Sequence, residues 1–162
     1  MILVKLADGY LDYLAKYDKK VPQNKNEKRP YVGILFEIGE IKYFAPLTSP
    51  KLKHEKMRET LDFVKIEGGK LGAINLNNMI PVNKIAIIEY NINKLKLLGD
   101  SMYPLLNNQM RYINKNSKRI RDRATKLYYE VNSGKVNPII ERCCNFKLLE
   151  EKAILYMKKQ NV

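Results

Sequence analysis

The segment YVGILFEIGEIKYFAPLTS, residues 31–49, predicts a β-hairpin around which the remaining chain can pack. Apolar side chains occupy every second position in both of its halves, which is typical of strands that bury one face. They are Val32, Ile34, Phe36 and Ile38 in the first half and Ile41, Tyr43 and Ala45 in the second. Gly39 and Glu40 separate the two halves, and a glycine in a two-residue connection predicts a tight hairpin turn.

Further strands are predicted on the C-terminal side of this hairpin. Residues 62–76 predict a second hairpin that turns at Gly68 and Gly69, and residues 83–91 predict one more strand. Because strands come first and helices later, we expect an α+β fold: a small, twisted, barrel-like antiparallel sheet with helices packed on it. At 162 residues, the chain is expected to form a single domain, residues 1–162.

Helices are predicted at the start of the chain and after residue 100. Apolar spacing indicates a short amphipathic helix over residues 10–17. The later region repeats apolar residues at steps of three and four: Leu106, Met110, Ile113, Ile120, Ala124, Leu127 and Val131. A last helix is expected over residues 144–159, with Asn145 as its N-terminal cap.

Positive charge is the most unusual feature of the composition. The chain has 30 Lys and Arg residues against 17 Asp and Glu, a formal net charge of +13. Such a domain attracts polyanions, although a lysine-rich composition that serves solubility alone would give the same charge. The density is highest in residues 111–126, where Asp122 is the single acid.

Four of these basic residues share roughly one helix face and are candidate contacts to a nucleic-acid backbone: Arg111, Lys115, Lys118 and Arg119. A solvated helix face is the alternative. The face lacks glutamates at i±4, which favours phosphate contacts over ion pairs within the helix.

Tyrosines provide a second compositional signal, because the chain has eleven of them and no tryptophan. Tyr10 and Tyr31 lie on either side of a polar surface loop predicted over residues 18–30. A tyrosine that stacks on an unpaired base contributes roughly 1–3 kcal/mol. For any single tyrosine, packing in the core is the more common role.

Residues 45–57, APLTSPKLKHEKM, follow the first hairpin with hydroxyl and basic side chains that have no evident packing role. These are Thr48, Ser49, Lys51, Lys53 and His54. RNA carries its own nucleophile, the 2′-hydroxyl, so an RNA-cleaving site must align that group, stabilise phosphate charge and assist the leaving 5′-oxygen. Short hydroxyls and a lysine at a strand end can do this. A polar turn that satisfies backbone groups before Pro50 is the alternative, with equal weight.

Other chemistries find little support in the sequence. No glycine-rich phosphate loop occurs, and with a single histidine there is neither a catalytic histidine pair nor the spacing of a zinc site. We therefore expect no metal and no small-molecule cofactor. No segment approaches the roughly 20 apolar residues of a membrane helix, and the first residues do not resemble a signal peptide. The adjacent Cys143 and Cys144 predict reduced thiols and a cytoplasmic protein.

Three ordered segments resemble the ToxN/AbiQ family, endoribonuclease toxins of type III toxin–antitoxin systems: PLTSPKLKH (46–54), LGAINLNNMIPV (71–82) and CNFKLLEEK (144–152). The resemblance extends in order through essentially the whole chain. It implies a twisted sheet core related to the Kid/MazF toxin fold. It also implies metal-independent RNA cleavage that leaves a 2′,3′-cyclic phosphate and a 5′-hydroxyl.

The same resemblance implies an RNA partner. Toxins of this family are inhibited by an antitoxin RNA, a repeated pseudoknot that the toxin cuts from its precursor and then holds in a cyclic toxin–RNA assembly. A role in phage defence or plasmid maintenance follows. A non-catalytic RNA-binding protein, and a DNA-binding regulator that places the basic helix in a major groove, are the alternatives.

Matched position by position, the family's hydroxyl–lysine motif assigns the catalytic roles to Thr48, Ser49 and Lys51. Ser49 would bind or polarise the phosphate, Thr48 would assist, and Lys51 would stabilise charge or relay a proton. The other residues that we expect to contact RNA are Lys53, His54, Tyr10, Arg29 and Tyr31.

Overall fold

The computed structural model describes residues 1–24, 26 and 28–160, which form an α+β fold with eight strands and seven α-helices. The strands are Ile2–Leu6 (β1), Tyr31–Gly33 (β2), Glu37–Ile38 (β3), Ile41–Thr48 (β4), Phe63–Lys65 (β5), Ala73–Asn75 (β6), Ile80–Val82 (β7) and Ile87–Glu89 (β8). The helices are Asp8–Ala15 (α1), Leu52–Lys56 (α2), Ile92–Leu97 (α3), Tyr103–Lys115 (α4), Ser117–Val131 (α5), Pro138–Arg142 (α6) and Phe146–Gln160 (α7).

Strand β4 organises the sheet because it pairs with four other strands, all antiparallel. One edge pairs with β3 and β2, and the other edge pairs with β7 and β6. Residues 43–47 of β4 are buried on both faces, so consecutive apolar side chains are accommodated there. The main strand order is β5-β6-β4-β2-β1-β8, and the sheet is open. The expected antiparallel α+β fold is therefore confirmed, but the barrel-like closure is wrong.

The first predicted hairpin exists, but its first strand is divided in two. Ile38 pairs with Ile41 across the turn at Gly39 and Glu40, as predicted. Between β2 and β3, however, the predicted alternation fails: Leu35 is buried, whereas Ile34 and Phe36 are half-buried. Just before this break, a Cβ added to Gly33 would lie 2.6 Å from the ring of Phe44, so only glycine allows β2 to approach β4 this closely.

The remaining elements follow the predicted types with different bounds. Strands β5 and β6 form the second hairpin, and β8 occupies the middle of the strand predicted over residues 83–91. The later helical region is divided at Asn116 into α4 and α5. Asn145 caps α7 as predicted, because its Oδ1 accepts a hydrogen bond of 3.2 Å from the N–H of Leu148. Strand β1 was not predicted, although it pairs with both β2 and β8.

Two observations bear on the predicted surroundings of the protein. Cys143 and Cys144 are free and buried, and burial raises the pKa of each thiol to about 12. Across the part of the chain that the structure describes, no helix has both the length and the apolar composition that a membrane crossing requires. Of the predicted surface loop 18–30, residues 25 and 27 lie outside the described residues.

A polar contact joins the helices to the sheet inside the core. Glu150 of α7 is 8% exposed, and its Oε1 accepts hydrogen bonds of 2.7 Å from the hydroxyls of Tyr43 and Tyr128. Burial, followed by the nearby carboxylate of Glu150, raises the pKa of Tyr43, so this hydroxyl remains a donor. One carboxylate oxygen therefore connects β4, α5 and α7.

Replacing Glu150 with alanine should destabilise the fold by about 2–4 kcal/mol, because two buried hydroxyls lose their acceptor. Urea denaturation measures this difference in the free energy of unfolding. The neighbouring Glu151 is exposed, so Glu151→Ala is the matched control and should change stability by less than about 0.5 kcal/mol. Equal effects of the two substitutions would contradict the structural role of Glu150.

Candidate active site

The predicted hydroxyl–lysine segment leaves the sheet at the end of β4. Thr48 is its last strand residue, and the Thr48 hydroxyl donates to the backbone carbonyl of Ala73 at 3.3 Å. Ser49 and Lys51 are exposed, and within residues 1–24, 26 and 28–160 neither side chain makes a hydrogen bond or ion pair. The structure therefore fixes the strand end and leaves one hydroxyl and one ammonium group available to a ligand.

This segment forms a ridge between two clefts. The Arg29 cleft, of about 210 Å³, is lined on one side of the ridge by Lys28, Arg29, Ser49, Met102 and Gln109, among others. The Arg142 cleft, of about 530 Å³, is lined on the other side by Lys53, His54, Phe63, Asn75, Asn77 and Arg142, among others. Thr48 and Lys51 line both clefts. A chain-like ligand that runs from one cleft to the other must cross this ridge.

Cations dominate both sides of the ridge. The Arg29 cleft contains Lys28 and Arg29, and the Nε of Arg29 donates to the carbonyl of Gln23 at 2.7 Å. Lys53 and Arg142 belong to the opposite cleft. Clefts lined by charges of one sign raise the local concentration of ligands with the opposite charge. The arrangement thus suits a polyanion.

Gln109 is a buried polar residue of the site that the sequence reasoning did not identify. Its side chain is 1% exposed, and its Nε2 donates to the carbonyls of Leu71, at 2.7 Å, and Thr48, at 3.4 Å. Its Oε1 is buried without a partner among the described residues. A polar side chain between Leu106 and Ile113, on the apolar face of a helix, was the signal that could have found it. Gln109 ties α4 to the end of β4.

Gly72 allows a second close approach to the same carbonyl of Thr48. Its φ is +95°, and an added Cβ would lie 2.0 Å from the carbonyl oxygen of Thr48. Any side chain at this position would therefore displace Thr48. The backbone of Thr48 is held between β6 and α4, which gives the exposed residues that follow a defined starting point.

His54 does not lie where its sequence position suggested. It is 3% exposed, its ring centroid lies 5.8 Å from that of Phe63, and its buried Nδ1 has no partner in the described part of the chain. Burial, with the nearby charges of Lys51 and Lys53, lowers the pKa of His54. The imidazole is thus a neutral part of the cleft wall rather than an exposed cation.

The expectation that Tyr10 and Tyr31 line an RNA groove is wrong. Both are 0% exposed, so neither ring is accessible to a base. The hydroxyl of Tyr10 donates to the carbonyl of Pro81 at 2.6 Å, and its ring contacts that of Tyr156 edge to face. The more common role of tyrosine, packing in the core, applies at both positions.

The four helix cations fall into two pairs with different partners. Arg111 and Lys115 of α4 line a depression of about 430 Å³, which Glu67 and Tyr112 also line. They make no ion pair with any described residue. They remain available to a ligand.

The other two cations, beyond the break at Asn116, have acidic partners. Lys118 pairs with Asp122 at 2.8 Å, an i,i+4 contact within α5, and Arg119 pairs with Glu59 at 2.8 Å. The expectation that this face makes no ion pairs within the helix is therefore wrong at Lys118, where an aspartate takes the place of the absent glutamate.

Comparison with known proteins places this chain in a defined family. Residues 2–154 match the family model described as toxin ToxN of the type III toxin–antitoxin system. The chain is 36% identical over 160 residues to endoribonuclease ToxN of Pectobacterium atrosepticum, covering 91% of this chain and 88% of the relative. The protein belongs to the ToxN family of toxins from type III toxin–antitoxin systems, as the sequence resemblance indicated.

Solved structures show the same fold. The lactococcal anti-phage endoribonuclease AbiQ superposes with a TM-score of 0.83 at 27% identity, covering 97% of this chain and 98% of AbiQ. A second structure, from work on type III toxin inhibition by a non-coding RNA pseudoknot, has a TM-score of 0.79 at 32% identity and covers 96% of each chain.

The buried imidazole makes stability depend on pH. The pKa of His54 lies below its ordinary 6.5 in the folded protein, so below that pH the unfolded chain binds a proton that the folded chain does not. Stability should therefore fall as pH drops from about 7 towards 5. In His54→Gln this part of the decline should be absent.

Urea midpoints at intervals of pH provide the measurement. Asp62, whose ordinary pKa is 3.8, changes the stability only at more acidic pH. The effects of His54 and Asp62 on stability can therefore be separated. An identical slope between pH 7 and 5 in both proteins would show that His54 does not cause it.

Proposed function

We propose that this protein is an endoribonuclease that cleaves RNA through the RNA's own 2′-hydroxyl, without a metal ion, and that Thr48, Ser49 and Lys51 form its catalytic segment. The observation that carries the proposal is the ridge itself. An unpartnered hydroxyl and an unpartnered ammonium group stand between two cationic clefts, at the end of the most constrained strand of the sheet.

In the proposed reaction the RNA strand crosses the ridge with its scissile phosphate beside Ser49. The 2′-hydroxyl loses its proton to water as its oxygen attacks phosphorus. The bond from phosphorus to the 5′-oxygen breaks, this oxygen takes up a proton, and the products are a 2′,3′-cyclic phosphate and a 5′-hydroxyl. Ser49 donates a hydrogen bond to a non-bridging oxygen, and the Lys51 ammonium stabilises the additional negative charge or passes a proton to the leaving oxygen. These roles require positive charge and donors, which the side chains provide without a metal.

Thr48 acts differently from Ser49 in this scheme. Its hydroxyl proton is used in the hydrogen bond to Ala73, so its oxygen is oriented by the sheet. Thr48 then assists by holding the ridge in place. Gln109, which contacts the Thr48 carbonyl from α4, is a positioning residue for the same segment.

Binding of the RNA on both sides of the ridge relies on cations outside the catalytic segment. Arg29 and Lys53 each belong to one of the clefts, and Arg111 and Lys115 extend the positive surface along α4. Lys118 and Arg119, which have acidic partners, can contribute only if those ion pairs open. Salt-dependent affinity is expected from such contacts.

We further infer that an RNA antitoxin inhibits the enzyme by occupying these same clefts. The relatives with solved structures include one from a system with a processed non-coding RNA regulator and one from a system with an inhibitory RNA pseudoknot. A net charge of +13 suits such a partner. The proposal includes a repeated antitoxin that the toxin processes and a cyclic protein–RNA assembly. It also includes action in the cytoplasm, in phage defence or plasmid maintenance, and a fold relationship to the Kid/MazF toxins.

Neutralising Lys51 tests the catalytic assignment. In EDTA, Lys51→Met and Ser49→Ala should each cleave mixed RNA roughly 10²- to 10³-fold more slowly than the unmodified protein. Lys56 is an exposed lysine nearby that lines neither cleft, so Lys56→Met is the matched control and should cleave at the original rate. Cleaved ends should accept phosphate at the 5′ position without prior dephosphorylation.

Two outcomes would contradict different parts of the proposal. Intact RNA after incubation with the unmodified protein would remove the enzymatic function and leave an RNA-binding protein. Cleavage that stops in EDTA would remove the metal-free mechanism alone.

Replacing Gln109 with methionine tests the positioning role. The substitution keeps the length of the side chain but removes both donors, so the ridge should shift and cleavage should slow by roughly 10- to 100-fold. Rates are compared below the unfolding temperature of each variant. Glu150→Ala, which weakens the core at a residue that lines neither cleft, is the control and should keep its cleavage rate.

A further inference from the structure

We propose that the Arg142 cleft is a specificity subsite that binds one unpaired RNA nucleotide next to the cleaved bond, with its base selected by the side-chain amides of Asn75 and Asn77. This inference rests on RNA binding across the ridge, the proposed function. It adds a binding site for one nucleotide, across Lys51 from the Arg29 cleft. This site would determine which RNA sequence is cleaved.

The position and size of the cleft suit one nucleotide. Lys51 and Thr48 line both clefts. A nucleotide joined to a phosphate at the ridge can therefore enter the Arg142 cleft while the RNA strand continues across the ridge. The cleft has a volume of about 530 Å³, which falls within the typical range of roughly 300–1,000 Å³ for pockets that bind small ligands.

Asn75 and Asn77 present unused hydrogen-bonding groups in this cleft. Neither amide has a partner among the described residues, and both are half-buried. An amide provides donors and an acceptor together, the combination that pairs with the edge of a base. Sequence-specific recognition of RNA acts mostly on such unpaired bases.

The backbone holds both asparagines rigidly. Asn75 lies opposite Phe63 in the pairing of β5 with β6. The backbone N–H of Asn77 donates to the backbone carbonyl of Asp62 at 3.1 Å, and the carbonyl of Asn77 accepts from the N–H of Cys144 at 2.9 Å. The backbone positions of both residues are therefore fixed, and binding has to order only the side-chain torsions of the two amides.

The wall of the cleft contains two aromatic rings that pack against each other. Phe63 and His54 face the same space with their rings inclined by 58°. The imidazole is 3% exposed, and its Nδ1 is buried without a partner in the described chain. These rings therefore shape the wall, and the hydrogen bonds to a base come from the half-buried asparagines.

Arg142 provides an oriented cation at the edge of the cleft. Its Nε and Nη2 donate to the two carboxylate oxygens of Asp62, at 2.6 and 2.8 Å, and Asp62 is 1% exposed. Burial alone would raise the pKa of Asp62, but the hydrogen bonds from Arg142 and Thr60 outweigh it and hold the pKa below its usual value.

The Arg142–Asp62 pair therefore stays charged and fixes the guanidinium plane. The Nη1 of Arg142 has no partner among the described residues, and its N–H groups can contact a phosphate. Fixed cations at the edge and free amides inside match a nucleotide, which is anionic on one side and presents donors and acceptors on the other.

Exchanging amide donors for acceptors tests the subsite directly. A random-sequence single-stranded RNA pool is cleaved briefly by the unmodified protein, Asn75→Asp and Asn77→Asp, and the new 5′ ends are sequenced. At one fixed position beside the cut, the preference for the favoured base should fall by about 5- to 100-fold in at least one variant. Asn93 is exposed on α3 and lines neither cleft, so Asn93→Asp adds the same charge and should keep the original preference.

A binding selection separates this inference from the proposed cleavage. Lys51→Met protein, with and without Asn75→Asp or Asn77→Asp, is used to retain RNA from the same pool. Bound RNA whose base preference depends on either asparagine supports the subsite even if the unmodified protein cuts nothing. Unchanged preferences in both cleavage and binding, with variants that unfold at the same temperature as the parent, would overturn the inference while leaving the nuclease proposal intact.

Discussion

Antiparallel pairing along β4 is the constraint on which the rest of the structure depends. Four strands share this one strand, two on each edge, and the five central residues are buried on both faces. The C-terminal end of β4 can therefore move only if several strand pairings are broken. Because Thr48 is the last residue of β4, the exposed residues after it follow the strand with the most pairings in the sheet, and a catalytic constellation is best supported on such an element.

The charged residues have two different roles, one structural and one in ligand binding, and the net charge does not reveal them. Glu150, Asp62 and Glu59 each occupy a specific structural place, connecting core tyrosines or fixing arginines. The lysines of the ridge and of α4 have no such partners among the described residues. A polyanion would thus meet cations of the ridge and of α4 that no described acid neutralises.

Local pattern predicted the elements whose partners are close in sequence. The turn at Gly39, the hairpin of β5 with β6 and the cap at Asn145 all depend on contacts between neighbouring segments of the chain, and all three are present. Strand β1 and the break between β2 and β3 depend on distant residues. The alternation in residues 31–38 could not reveal that the ring of Phe44 would lie against Gly33, and tertiary packing overrode the period of two.

The sequence by itself determined the net charge, the α+β class and the exposed hydroxyl–lysine segment, because composition, periodicity and a proline-flanked strand end are local properties. Only the tertiary structure decided which side chains join that segment. It buried Tyr10, Tyr31 and His54, and it brought Gln109 to Thr48 across 61 residues and Arg142 to Asp62 across 80. Burial and long-range hydrogen bonds arise when distant elements pack together, so no window of sequence contains them.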